Sequence, residues 1–230
     1  MSTKIYLAPV FLVISLNAAA SSTWVDNRYA HITGSEKNQY KIGGGHTFDN
    51  GATLLAAWLY DAGKNLDQFK SSFQEYEGWY PVNLSPDWTL SPGLLSDVDQ
   101  AGTKIAPYAM LEYKVSTDLS VAARYRYNHM THRDMNINGD MEYNDSHLLD
   151  VFMNYQATDK LWLQLNPEFS INAGDFKSPN GKRTHWEPNV AVHYQLNKHW
   201  RPFAELGWLD RDENHDNQVR LRVGIRYFLP

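Results

Sequence analysis

Hydrophobic and polar residues alternate along most of the chain after residue 20. In "LWLQLNPEFSIN", at 161–172, the odd positions hold Leu, Leu, Leu, Pro, Phe and Ile, while most of the even positions are polar. Successive side chains of a β-strand point to opposite faces, so a period of two predicts strands with one apolar and one polar face. The same period recurs in "LSVAARYRYNH" and "THWEPNVAVHYQL", and helical periodicity is not evident. The pattern predicts an all-β protein.

Twelve such segments can be distinguished, and their lengths suit a tilted strand that crosses a membrane, which needs about 9–11 residues. Four connections begin with Tyr and end on Trp or Leu, as in "YKVSTDL", and their polar residues predict tight turns. Longer polar segments such as "NAGDFKSPNGKRT" lie between them. The predicted strands are 23–32, 38–48, 52–61, 70–81, 87–95, 102–114, 118–129, 146–156, 160–172, 184–195, 200–209 and 218–229.

Short turns that alternate with longer loops, with aromatic residues beside the turns, are typical of outer-membrane proteins. The sequence therefore predicts a transmembrane antiparallel β-barrel of about 12 strands in one domain. An even number of strands places both termini on the same side, the periplasmic one. A secreted β-sandwich is the alternative, but its aromatic residues would concentrate in the middle of strands, whereas here they recur at strand ends.

The first residues have the pattern of a secretory signal peptide. Lys4 precedes an apolar run at 5–16, and small residues follow up to Ala20. The apolar run is shorter than the roughly 20 residues that a transmembrane helix requires. We expect a cleaved signal peptide at 1–20 and a barrel domain at 21–230, exported to the envelope of a Gram-negative bacterium.

The composition agrees with a barrel. The mean hydropathy is −0.53, yet 13% of the residues are aromatic, including 8 Trp and 14 Tyr. A membrane barrel reconciles these values because only alternate residues of each strand face lipid. The chain contains no cysteine, which excludes disulfides and thiolate sites.

The polar parity of several strands carries basic residues. The last predicted strand has Arg220, Arg222 and Arg226 on the face opposite its apolar residues, and strand 118–129 has Arg124 and Arg126. These strands lie on opposite walls of a twelve-stranded ring, so the arginines predict two cationic tracks along a narrow lumen. Parity alone adds three further candidates, which are Arg28, Lys41 and Lys104.

Two interpretations of these basic residues are open. Guanidinium groups bind carboxylates in a bidentate fork, and successive weak sites let an anion move along a pore. Alternatively, lumenal acids neutralise the arginines in a structural network. We favour the anion path because each track has consecutive arginines without an interleaved acid. The acids considered are Glu75, Glu77, Glu112, Asp150, Glu168, Glu187 and Glu205.

The segments "QEYEGWYP", "RYRYNH", "GWLDRDEN" and "VRLRVGIRYF" resemble the oligogalacturonate-specific porin family, whose relatives include the channel for N-acetylneuraminic acid. The resemblance extends over essentially the whole chain after residue 20. It implies a monomeric twelve-stranded outer-membrane barrel with two opposed basic tracks, through which acidic sugars pass. Arg124, Arg126, Arg220, Arg222 and Arg226 match basic positions of the family. The implied partners are acidic oligosaccharides, outer-membrane lipid and lipopolysaccharide, and the barrel-assembly machinery, with no nucleic acid.

Other functions are less well supported. An outer-membrane phospholipase would need a histidine such as His193 or His46 beside a serine, but parity places His193 in the lumen and no serine has a suitable spacing. His129 and His132 are a weak metal pair in a polar loop, and "DRDENHDN" lacks the glycine and final glutamate of a calcium loop. We expect no cofactor and no catalytic site. A plugged, purely structural barrel is the third hypothesis.

Overall fold

The computed structural model describes residues 22–136, 138–177, 180–210 and 218–230. Twelve long strands and three two-residue strands make up the regular secondary structure in these ranges, which contain no helix that could span a bilayer. The strands are β1 Ser22–Ile32, β2 Lys37–Thr47, β3 Thr53–Asp61, β4 Lys70–Trp79, β5 Val82–Asn83, β6 Trp88–Val98, β7 Thr103–Lys114, β8 Leu119–Met130, β9 Asp134–Met135, β10 Met141–Glu142, β11 Ser146–Thr158, β12 Leu161–Asn172, β13 Thr184–Tyr194, β14 Trp200–Leu209 and β15 Gln218–Phe228.

The twelve long strands form a closed antiparallel barrel. Each pairs with its neighbours in sequence, and the ring closes where β1 pairs with β15, from Trp24 opposite Phe228 to Ile32 opposite Arg220. Of the two-residue strands, β5 continues the path of β4 along the same edge of β6, within the barrel sheet, whereas β9 pairs with β10 in a separate sheet. A closed ring leaves no strand edge unpaired, so the predicted all-β barrel of twelve strands is confirmed and the β-sandwich is excluded.

Exposure is inverted relative to a soluble protein. Large apolar side chains such as Leu54 and Tyr125 lie on the outside, with 58% and 51% of their surface exposed, whereas Asp150 is completely buried inside. An apolar outer face is stable only against lipid, because the hydrophobic effect penalises its contact with water. More and less exposed residues alternate most clearly along β7 and β13, as the period of two requires.

One end of the barrel, here called the terminal end, carries Ser22 and Phe228, and the opposite end is called the loop end. Exposed aromatic side chains occur at both ends of the barrel, and at the terminal end the rings of Trp88 and Tyr113 are 4.6 Å apart, as are those of Trp200 and Tyr227. Trp and Tyr favour the boundary between hydrocarbon and water because one edge of each ring is polar. The predicted aromatic residues beside the turns therefore form one belt.

Two details differ from the sequence-based prediction. Two of the connections at the loop end, 33–36 and 99–102, are as short as the turns at the terminal end, so length alone does not distinguish the two ends. Strand β6 continues to Val98 rather than stopping at 95. It continues because Asp97 faces inward and pairs with Lys104 of β7, which extends the ladder by a polar residue that hydropathy does not detect.

Candidate functional site

The basic residues named above all lie on the inward parity of their strands. On β15, Leu221 and Val223 are exposed on the outside, and Arg220 and Arg222 alternate with them. On β8, Tyr125 is exposed between Arg124 and Arg126. Arg28, Lys41, Lys104 and Arg226 follow the same rule on β1, β2, β7 and β15.

Three cavities follow one another inside the barrel. The terminal-side cavity, of about 560 Å³, lies among the turns around Pro86 and Ser116. The central cavity, of about 310 Å³, shares Trp162 and Arg201 with it. The loop-side cavity, of about 270 Å³, shares Arg28 and Lys41 with the central one. The shared residues make the three cavities a continuous series, in which the central and loop-side cavities lie against β15, β1 and β2.

Basic side chains outnumber acidic ones around the inner two cavities. Six basic residues line the central and loop-side cavities, against three acidic ones. The terminal-side cavity lacks this excess, since it has three acids and two basic residues. The electrostatic field along the series is therefore most positive in the middle of the barrel. The basic residues of the inner cavities are Arg28, Lys41, Arg201, Arg220, Arg222 and Arg226, and the acids are Asp26, Glu75 and Glu205.

Most of the predicted basic residues form ion pairs with acids of nearby strands. Arg222 Nη1 lies 2.5 Å from Glu205 Oε1, and Arg226 Nη2 lies 2.8 Å from Asp26 Oδ2. Neither acid is in the strand of its arginine, so the absence of interleaved acids within a strand did not exclude neutralisation. The remaining pairs are Lys41 with Glu75, Lys104 with Asp97, Arg124 with Asp150 and Glu77, and Arg220 with Glu187 and Glu205.

Three acids form a row on adjacent strands at the loop-end half of the wall opposite the cavities. Asp150 pairs in register with Glu168, and Glu168 pairs with Glu187. Arg124 of β8 binds one end of this acidic row, and Arg220 of β15 reaches past β14 to the other end. The acidic row sets three carboxylates against two arginines, so this wall lacks the excess of basic residues found around the inner cavities.

Three of the inward-facing arginines on the described barrel strands form no ion pair with an acid. The first is Arg28, which lines two cavities. The second is Arg126, whose buried Nε has no hydrogen-bond partner. The third, Arg201, was missed by the sequence analysis. It shares the inward parity of β14 with Phe203 and Glu205, so parity could have identified it, but it stands alone rather than in a run.

At two glycines, the lack of a side chain leaves room for neighbouring side chains that line the central cavity. A Cβ atom on Gly43 would lie 2.7 Å from Cβ of Ala57, and one on Gly224 would lie 2.5 Å from Cζ of Phe203. Both distances are shorter than a van der Waals contact. The run at 43–45 therefore serves close approach of neighbouring strands, and Gly224 makes room for the Phe203 ring.

The histidines considered as catalytic or metal-binding residues have other partners. His193 stacks between Trp162 and Phe203, with ring centroids 5.3 Å and 5.5 Å away. His46 Nδ1 lies 2.7 Å from the hydroxyl oxygen of Thr23. Among the described residues, no group of three or more His, Asp or Glu side chains could hold a metal ion. Except for Asp210, the segment "DRDENHDN" lies outside the described residues.

Asp145 anchors the loop at 131–145. Its carboxylate accepts hydrogen bonds from the Met130 amide at 2.8 Å and the Tyr127 hydroxyl at 2.9 Å, and it lies 3.0 Å from His129 Nδ1. His132 pairs separately with Asp134. Burial by itself would raise the pKa of Asp145, but the bonds from Met130, His129 and Tyr127 together hold that pKa below its ordinary value.

A closed barrel of twelve antiparallel strands, with an apolar outer face and a charged interior that contains a series of cavities, is the architecture of outer-membrane porins. The family comparison agrees with that class. The model of the oligogalacturonate-specific porin protein (KdgM) family matches residues 14–229, and the chain belongs to this family. Its location is the outer membrane of a Gram-negative bacterium.

Similar proteins include two porins of known name. The N-acetylneuraminic acid outer membrane channel protein NanC of Escherichia coli (strain K12) is 25% identical over 155 residues, and the match covers 65% of this chain and 65% of that protein, slightly less than two thirds. The oligogalacturonate-specific porin KdgM of Dickeya dadantii (strain 3937) is 25% identical over 253 aligned positions, with 99% of each chain covered.

Solved structures show the same fold. The NanC porin superposes with a TM-score of 0.78 at 22% identity, covering 89% of this chain and 100% of that chain. The KdgM porin in complex with disordered oligogalacturonate superposes with a TM-score of 0.66 at 20% identity, covering 90% and 99%. These similarities support the barrel architecture described above.

Proposed function

We propose that the protein is a passive channel that lets acidic mono- or oligosaccharides, such as oligogalacturonates, diffuse across the outer membrane. The observation that carries the proposal is the twofold excess of basic over acidic side chains around the central and loop-side cavities. The names of the two relatives, one a channel for a sugar acid and the other a porin for oligogalacturonate, support the same class of solute.

The solute path follows the wall of β14, β15, β1 and β2. Arg220, Arg222, Arg226, Arg28 and Lys41 line this wall and offer carboxylates successive charged donors. Arginine suits this role because its planar group stays ionised and binds a carboxylate through two N–H donors. Arg124, Arg126 and Lys104 lie away from these three cavities and contribute to the field of the lumen.

The ion pairs keep each step of the path weak. Arg222 and Arg226 already share their charge with Glu205 and Asp26, so an incoming carboxylate competes with an acid of the protein. Conduction requires binding that is favourable enough to admit a solute yet weak enough to release it. A wall of partly neutralised arginines meets this requirement better than a wall of bare ones.

The proposal also covers the signal peptide, the orientation in the membrane, the oligomeric state and the lack of enzymatic activity. Residues 1–20 are a cleaved signal peptide, and residues 21–230 are the barrel domain. Both termini face the periplasm, because an even number of strands brings them to the same end of the barrel and aromatic residues border the turns at that end. The barrel works as a monomer in contact with lipid and lipopolysaccharide, after insertion by the barrel-assembly machinery. It has no enzymatic activity, since His193 and His46 are engaged by rings and a threonine rather than by a serine.

Solute flux into liposomes that contain the refolded protein tests this function. Galacturonate oligomers are compared with neutral malto-oligosaccharides of similar size, at low and at high ionic strength. We expect faster entry of the acidic oligomers at low salt and loss of the difference at about 1 M salt, where the Debye length falls to about 3 Å. Equal entry at low salt would mean a general small porin. Entry of neither would mean a plugged barrel.

A further inference from the structure

Arg201 is held in the lumen by aromatic rings instead of by an acid. Its Cζ lies 4.4 Å from the centroid of Trp162 and 4.5 Å from that of Phe228. Its Nε donates a hydrogen bond of 2.8 Å to Gln195 Oε1. The rings and the amide fix the plane of the guanidinium without cancelling its charge, since both are electrically neutral. Within the described residues, its two terminal nitrogens have no hydrogen-bond acceptor.

Arg28 is the second cation of the central cavity that lacks an acid partner. It lies on β1, where Lys41 of β2 is its register partner and Gly224 of β15 is its neighbour on the other side. Lys41 is occupied by Glu75, at 2.6 Å. Across the described parts of the chain, Arg28 has neither an ion pair nor a hydrogen bond, so its donors are available to a solute in the cavity.

Both arginines stand at junctions of the cavity series. Arg201 lines the passage from the terminal-side cavity to the central one, and Arg28 lines the passage from the central cavity to the loop-side one. A solute that crosses the barrel along this wall must pass both. The other cations of the central cavity, Lys41 and Arg226, are neutralised by Glu75 and Asp26.

We infer that Arg28 and Arg201 form the specific carboxylate-binding subsite of the pore, and that the arginines with acid partners position the wall around it. The inference rests on the proposed function, because it names where that function recognises an acidic sugar. The ligand class is a sugar carboxylate, which accepts two parallel N–H donors from either guanidinium. The central cavity between them holds one sugar residue while its neighbours occupy the adjoining cavities.

Block of the chloride current in planar bilayers by trigalacturonate, with maltotriose as the neutral probe of equal length, tests the subsite. The variants are Arg28→Gln and Arg201→Gln, which keep a polar side chain but remove the charge. Lys160→Gln is the matched control, since it removes one positive charge from the exposed turn between β11 and β12, and Lys160 lines none of the three cavities. Arg201→Lys keeps the charge but loses the planar fork.

Each glutamine variant is expected to raise the half-blocking concentration of trigalacturonate about tenfold, the effect of one charge-assisted hydrogen bond. Lys160→Gln should leave it unchanged, and Arg201→Lys should give an intermediate value. Open-channel conductance without sugar verifies that each variant forms a pore. Equal weakening by Lys160→Gln, or unchanged block in both the Arg28→Gln and the Arg201→Gln variants, would overturn the subsite. If trigalacturonate blocks the wild type no better than maltotriose, the proposed function itself fails.

Discussion

Removal of Arg124 should destabilise the barrel more than it changes the solute path. Arg124 Nε lies 2.7 Å from Asp150 Oδ2, and Asp150 is completely buried, with its other oxygen lacking any hydrogen-bond partner. The next acid, Glu77, lies 3.7 Å from Nη1 of the same arginine. Arg124→Ala therefore leaves one buried carboxylate without a cation, and it also removes packing against Tyr108 and Phe152.

Removal of one partner of a buried ion pair costs about 3–5 kcal/mol, whereas replacement of both partners is often nearly neutral. We expect Arg124→Ala to lower the free energy of unfolding by about this amount, and the double variant Arg124→Ala/Asp150→Ala to recover most of the loss. Urea unfolding of the barrel in lipid vesicles, followed by tryptophan fluorescence, measures all three proteins. The double variant should also keep the reversal potential of the wild type in a salt gradient.

The reasoning would be refuted in either of two ways. An Arg124→Ala variant as stable as the wild type within about 1 kcal/mol would mean that water or another cation compensates Asp150. A double variant that remains stable but loses its anion preference would mean that Arg124 is part of a working second track, as the sequence pattern suggested. Asp150→Asn is the milder control, because Arg124 would still have Glu77.

Three further outcomes are expected. Glu205→Gln should raise the anion preference of the channel, because it frees Arg222 from its acid partner. The increase should be at most about fivefold, the effect of one unit charge near 4 Å in water. An unchanged reversal potential would contradict this. Gly43→Ala should destabilise the barrel by about 1–3 kcal/mol through overpacking against Ala57, as measured by urea unfolding. The lowered pKa of Asp145 adds stability above the unfolded-state value of about 4. That stability is lost as the pH falls through the folded-state pKa, so wild type and Asp145→Asn should converge in acid, as measured by thermal unfolding.

The fold could be predicted from the sequence because the alternation of apolar and polar residues can be recognised in most strands separately. The alternation in "LWLQLNPEFSIN" fixes which side chains face lipid, and the turn after Tyr113 fixes where the chain reverses. Each of these features depends on residues within one or two strands. The exceptions are polar extensions such as Asp97 in β6, whose partner lies in the next strand.

The candidate site could be predicted only in part. Parity placed Arg220, Arg222 and Arg226 on the inward face, but it gave no information on the acids opposite them. Asp26, the partner of Arg226, is 200 residues away along the chain. Ion pairs across a barrel depend on register and closure, which no local pattern encodes. Arg201 was missed for the complementary reason, since its importance comes from the rings of Trp162 and Phe228, which belong to other strands.

The reversal potential of a single open channel in a tenfold KCl gradient tests the central claim most directly, because it reports the net charge that a permeating ion meets. The excess of basic residues around the inner cavities predicts a potential of the sign that anion selectivity gives, and a decrease toward zero when both solutions are made more concentrated. A potential of zero, or one of the sign given by cation selectivity, at low salt would contradict the account, because the acids of the lumen would then outweigh its arginines.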